Sequence, residues 1–302
     1  MSATGAALRC SAAWIGGGGS AINATMAIHD NYHEAMDNVS AWIRRLDERS
    51  ATLEQVTSTR DILHAKETGK TGVIFGWQNA SPIENDLDRL ALFHRLGVRV
   101  IQLTYNERNL LGNGCWERTD EGLSNFGVDA VREMDRLRIL IDLSHVGDKT
   151  TLEAIELSER PVACTHANAR SFFRHPRNKT NDALKLIAEK GGVVGATPWP
   201  PFLRRGFEST LEDYGDAIDD MVGRVGIDHV GIGTDYTQDQ TKEWFDLVLS
   251  QQGTKPSPRR KDYPDTITHP RGIETPDRLS NVAGELAEAG IPPGGHHQDT
   301  RR

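Results

Sequence analysis

Two histidines stand at matching places in the segment LIDLSHVGDKTTLEAIELSERPVACTHANAR, residues 140–170. The first β-like run ends Asp-Leu-Ser-His145 and the next, after a helical stretch, ends Ala-Cys-Thr-His166. Consecutive strands of a parallel sheet lie about 4.8 Å apart. Two imidazoles at the same end of such neighbours can grip one divalent ion, zinc being the usual choice for nitrogen ligands. The competing reading is a pair of buried histidines bonded to backbone. Asp235, at the end of DHVGIGTD, brings a carboxylate to the last strand end, where it suits a metal ligand or a general base; a helix cap is the plainer role. Arg177, in RHPRNKTND, suits bidentate capture of a substrate carboxylate, with Arg170 and Arg174 as close competitors.

Other polar residues read more plainly. His29 and His33 look like a surface pair, and His296 and His297 lie in a polar tail. Asp142 either orients a ligand or satisfies buried backbone. Cys164 shares the face of His166 and reads as a small core filler or a lining residue.

The elements that must position these groups alternate. Strand-like runs occupy residues 20–28, 71–77, 98–105, 138–144, 161–166, 191–197 and 228–235, several of them near-continuous in Val and Ile, as expected of parallel strands covered on both faces. Helical patterns fall between them, such as 82–97, opened by Pro82 and closed by Gly97, and 126–137 with Val128, Val131, Met134 and Leu137 on one face. Repeated β-α units imply parallel strands with right-handed crossovers. A (β/α)8 barrel and an open doubly wound sheet both fit that pattern. Polar residues at many strand ends (Gln78, Tyr105, His145, His166, Asp235) and the lack of a Gly-rich phosphate loop favour the barrel. Only seven strands are visible, so the barrel is expected to lack or distort its first. The expected organisation is an irregular segment 1–19, a barrel over 20–290 with a long loop at 250–272, and a disordered tail 291–302.

With 302 residues, 37% hydrophobic and 26% charged, the chain has ample material for one large core. A formal charge of -8 disfavours nucleic acid and anionic membrane as partners. Three cysteines form no CxxC pair, and no apolar run is long enough for a membrane helix. A cytoplasmic protein is the expectation, with a homodimer as its candidate assembly.

The stretches LGVRVIQLTYNERN, IDLSHVGDKT, THANARSFFRHPRNKTND and GIDHVGIGTDY together resemble the membrane (renal-type) dipeptidase family, the M19 zinc peptidases, over about residues 20–290. The resemblance implies a (β/α)8 barrel that hydrolyses dipeptides at a binuclear zinc centre. It implies that His145 and His166 bind one zinc, that Arg177 grips the substrate's terminal carboxylate, and that Asp235 is the acid/base. Tyr105 falls where many relatives carry a substrate-contacting histidine. Two departures accompany it. Gln78 in IFGWQNASPI occupies the place of the bridging glutamate, and residues 1–28 contain no His-x-Asp pair for the other zinc. The expectation is at most one zinc, held by His145 and His166 with Gln78 or Asp235 completing it, in a hydrolase of dipeptides. The alternative is a non-catalytic or altered-specificity barrel that binds a small carboxylated ligand.

Overall fold

Eight parallel strands form one curled sheet in the computed structural model, which describes Trp14, residues 17–288 and Gly290. They are β1 (Ala21–Ala27), β2 (Leu53–Val56), β3 (Thr71–Trp77), β4 (Val98–Gln102), β5 (Leu140–Asp142), β6 (Ala163–Cys164), β7 (Val193–Ala196) and β8 (Val230–Ile232). The order is β1-β3-β4-β5-β6-β7-β8, with β2 beside β3. β2 pairs with Thr71–Ile74 of β3 and β4 with Phe75–Trp77, so two short strands share the length of one.

Helices separate the strands: α1 (Tyr32–Glu48), α2 (Thr59–Thr68), α3 (Asp88–Arg95), α4 (Asn125–Leu137), α5 (Asp148–Leu157), α6 (Asn181–Glu189) and α7 (Leu211–Val225). After β8 come α8 (Lys242–Val248), the small antiparallel pair β9 (Ser250–Gln251) and β10 (Lys255–Pro256), and α9 (Ser280–Glu288). Among the described residues β8 pairs only with β7, and β1 only with β3, so no hydrogen-bonded ladder closes the sheet. The architecture is a half-barrel of the TIM type.

The seven strand regions expected from sequence are all present, 71–77 with its expected bounds and the other six shorter. The eighth strand among the described residues is β2, between the first two expected runs. Its text, LEQV, puts apolar residues only at its ends, and both Leu53 and Val56 are buried. Four residues with that spacing carry no period of two. The helix expected over 82–97 is also shorter: Ser81–Ile83 is a 3-10 turn, Glu84 has a φ of 50°, and α3 begins only at Asp88. Residues 1–13 and 291–302 lie outside the described residues.

The helices form for local reasons and bury one face each. α1 opens with a capping box between Asn31 and Glu34 and buries Ala35, Val39, Trp42 and Leu46 at helical spacing. α7 opens with Thr210 and Asp213 in the same motif and buries Tyr214, Ala217, Ile218 and Met221. Tyr214 also donates its hydroxyl to the carbonyl of Ala196 in β7, 2.8 Å away. The same core cluster takes in Val73, Phe75, Ile101, Ile141 and Val194, all essentially inaccessible. Each such side chain contributes about 1.5–3 kcal/mol. That core fixes the strand ends from which the polar residues project.

A second, smaller apolar cluster lies apart from it, over the C-terminal ends of the strands: Tyr105, Trp199, Phe202, Phe245, Val248, Leu249 and Ile267. The segment expected as a long loop, 250–272, contributes Ile267 to this cover and is pinned by the Arg260–Asp246 ion pair at 2.6 Å and by Gln252 Nε2 donating to Arg108 O at 3.0 Å. Among the described residues no helix is long and apolar enough to cross a membrane.

Candidate active site

Asp142, the last residue of β5, organises the floor of the mouth. Its Oδ1 accepts from the backbone N–H of Ser144 (3.0 Å), the hydroxyl of Ser144 (2.5 Å) and the backbone N–H of Thr165 (3.0 Å). Its Oδ2 accepts from the Thr165 hydroxyl at 2.7 Å. Ser144 Oγ in turn accepts from the N–H of His166 at 3.1 Å. One buried carboxylate therefore ties the two turns that carry the histidines. Gly195 and Gly233 permit the close approach behind them, since a Cβ at either would stand 2.1 Å from the carbonyl oxygen of Thr165.

The histidines meet. His145 Nε2 and His166 Nε2 are 2.9 Å apart, and both rings are buried. Each Nδ1 faces an oxygen: that of His145 donates to Asn106 Oδ1 at 2.7 Å, and that of His166 pairs with Thr165 Oγ1 at 2.8 Å. A carboxylate only accepts, so the Thr165 proton points to Asp142 and its oxygen accepts from His166 Nδ1–H. Both Nε2 atoms are then left as lone-pair donors facing one another. Burial, reinforced by the charge of Arg177, holds both imidazoles well below their ordinary pKa and so neutral.

Further groups hold this arrangement. Gln102 accepts from the N–H of His145 at 3.3 Å and donates to the carbonyls of Gln78 and Thr104. Tyr105 stacks on the His145 ring, centroids 4.0 Å apart at 21°. Lys179, buried, donates to Val146 O at 2.8 Å.

Arg177 is only 1% exposed. Its guanidinium donates to the carbonyl oxygens of Ser144 and, at 3.1 Å, of His166, while its Nε–H is buried without a partner. It lies over the Phe202 ring at 5.1 Å. Asp235, three residues past β8, adopts a φ of 51°, an uncommon conformation that Asp tolerates better than most residues. Burial raises its carboxyl to about 6, against the pull of Arg177, with Asp142 adding repulsion. His269, whose ring nitrogen bonds Thr234 O at 2.9 Å, braces that turn and is itself lowered to about 4 by burial.

The structure thus gathers the residues singled out from sequence around one cavity of about 40 Å3, lined among others by Gln78, Tyr105, His145, Arg177 and Asp235. His166 touches it through His145. Gln78 turns its Nε2 to Thr25 Oγ1 at 2.9 Å. His29 departs from the expected surface position. It packs edge-on against Tyr105 at 5.3 Å, and burial lowers its pKa, opposed by the backbone of Val248. Cys164 is fully buried, its thiol pushed up to about 12 by burial. Sequence reasoning passed over Asn106, Gln102 and the aromatic wall. Asn106 was findable as the residue after Tyr105 at a strand end; the others meet the site only through tertiary packing.

The two neutral rings supply nitrogen donors of the type zinc takes, at a separation of 2.9 Å that is shorter than the about 3.3 Å between two ligands of a tetrahedral ion. The pair fits a single ion and not a closed cage: among the described residues no group of three or more His, Cys, Asp and Glu side chains converges.

A parallel α/β barrel sheet with imidazoles and a carboxylate at the C-terminal ends of its strands is an enzyme architecture. The chain belongs to the membrane dipeptidase family (peptidase family M19), whose profile matches residues 12–250. It is 31% identical over 208 residues to an uncharacterised dipeptidase of Schizosaccharomyces pombe, covering 67% of this chain and 47% of that protein. It is 28% identical to the dipeptidase tcpJ of Claviceps purpurea, covering 87% and 56%. The chain spans about half the length of the curated relatives it matches. The solved structure of an amidohydrolase from Pseudomonas aeruginosa superposes with a TM-score of 0.90 at 38% identity, over 94% of this chain and 86% of that one.

Proposed function

We propose that this chain is a zinc-dependent hydrolase that cleaves the amide bond of dipeptides, with one ion held by His145 and His166. The observation that carries the reading is the 2.9 Å approach of two Nε2 atoms whose rings have both committed Nδ1 to oxygen acceptors. A shared proton is the other way to relieve that contact, and burial opposes it. Gln78, on the same cavity, is the group left to complete coordination, since Asp235 does not converge with the two histidines among the described residues. Family membership, the dipeptidase relatives and the amidohydrolase likeness support the same reaction class.

Zinc, when bound, polarises a carbonyl and lowers the pKa of water. The remaining work falls to the chain. Asp235, raised to about 6, is ionised yet basic enough near neutral pH to take a proton from the attacking water and pass it to the leaving amine. Arg177 holds a buried positive charge with no ion pair among the described residues, and its free Nε–H suits a substrate carboxylate. Tyr105 keeps the His145 ring in its plane and forms part of the substrate-facing wall. The aromatic cover limits the water that reaches the site. The free thiols of Cys115 and Cys164 support a reducing, cytoplasmic setting.

The test is elemental analysis of the zinc-reconstituted protein alongside a dipeptide panel, repeated on His145→Ala. The expected result is about one zinc per chain with measurable hydrolysis, both lost in the variant. Less than half an equivalent of zinc together with no turnover overturns the reading.

A further inference from the structure

The cavity over His145 has two unlike halves. His145, Asp235, Arg177 and Gln78 make a polar floor. Above it stand Trp199 and Phe202 from the turn after β7, and Trp244, Phe245 and Val248 from α8. These apolar side chains belong to a cluster separate from the core of the sheet. The wall is therefore not something the barrel requires for its own closure. The enclosed space of about 40 Å3 holds a few water molecules and is too small for a substrate side chain. The groups that occupy the remaining room come largely from α8, a helix of seven residues with one face in solvent, Leu247 being 50% exposed.

We propose that a substrate side chain replaces part of this packing, so that the site selects dipeptides bearing a bulky apolar or aromatic side chain over those bearing a small or charged one. The inference rests on the dipeptidase reading and names its substrate class. A charged side chain entering the upper half loses its water and meets indole, phenyl and isopropyl groups that offer no counter-charge. A methyl group leaves most of the wall unused. An aromatic ring exchanges one set of apolar contacts for another while leaving bulk water, and the edge-to-face geometry it favours is already that of Trp244 on Phe245, at 84° and 5.1 Å. Trp244 is the position that tests this, because it lines the cavity yet is only half-buried.

The experiment uses the full chain reconstituted with zinc and the dipeptides Ala-Ala, Phe-Ala, Ala-Phe, Leu-Ala, Asp-Ala and Lys-Ala. Two readouts are taken: kcat/KM, and binding by calorimetry and tryptophan fluorescence, which needs no turnover. Trp116, Trp199 and Trp244, three of the six tryptophans, line the cavity and report occupancy. The expected result is binding at least tenfold tighter for the better Phe-containing dipeptide than for Ala-Ala, and weaker still for Asp-Ala and Lys-Ala. Trp244→Glu is expected to lower that preference at least threefold and to improve Lys-Ala. Equal or reversed preference in the wild-type chain overturns the inference, as does failure of every dipeptide to bind. Selective binding of the aromatic dipeptides without cleavage of any sustains the inference and removes the catalytic reading. Cleavage without preference does the opposite.

Discussion

Replacing Asp142 with Asn tests whether a carboxylate two bonds away sets the metal-binding form of His166. In the native chain Asp142 Oδ2 takes the Thr165 hydroxyl proton, Thr165 Oγ1 therefore accepts from His166 Nδ1–H, and Nε2 is left bare. An Asn that keeps the three donors on Oδ1 points its Nδ2–H2 at Thr165 Oγ1. The Thr165 proton is then released toward His166 Nδ1, and the ring takes the Nε2–H form, which does not ligate. Loss of a partner of this kind costs 10–100-fold in metal affinity, or about 1.4–2.8 kcal/mol. All four hydrogen bonds to this carboxylate also lose their charge assistance, for a loss of at least about 1.5–3 kcal/mol in stability. Zinc affinity is measured by competition with a chelator, the tautomer by 15N shifts of the His166 ring, and stability by urea unfolding. Asp142→Asn that binds zinc as tightly as the native chain, with His166 still protonated at Nδ1, refutes the relay.

Further predictions follow from the same geometry. The raised carboxyl of Asp235 gives a kcat/KM that climbs with pH through about 6, and Asp235→Asn removes both the limb and at least a hundredfold of the rate; a pH profile of both proteins checks it. His175 and His269 are lowered to about 3 and about 4 by burial, so the folded state binds fewer protons than the unfolded one below pH 6.5. Stability contributed by these two rings is full above pH 6.5 and is lost as pH falls from there toward 4, by up to about 1.4 kcal/mol per unit for each, which urea titrations at stepped pH measure. Arg177→Met loses the bonds to the carbonyls of Ser144 and His166 as well as the buried charge. It is expected to lower the melting temperature by several degrees and to abolish discrimination between a dipeptide and its C-terminal amide, read from kcat/KM on the two substrates.

Much of the frame was legible because β3 and β7 are runs of Val, Ile and Gly too apolar for a half-exposed strand, and because Gly97 and Gly191 stop helices where periodicity ends. β2 was not legible, since four residues with apolar ends carry no alternation and its pairing depends on sharing β3 with β4. His145 and His166 announced themselves by repeating one position at two strand ends. Their Nδ1 partners did not: Asn106 lies 39 residues from His145, and the role of Thr165 follows only once Asp142 is seen below it. The cover was illegible for a similar reason. The run TKEWFDLVL is too short to stand out and residues 250–267 have no period, so their apolar side chains make sense only against Trp199 and Phe202.

X-ray absorption of the chain loaded with one equivalent of zinc addresses the bis-imidazole claim most directly. Two nitrogen scatterers of imidazole type at about 2.0–2.1 Å, reduced to one in His166→Ala, are the expected result. A first shell without paired imidazoles, or one unchanged by that substitution, contradicts the account.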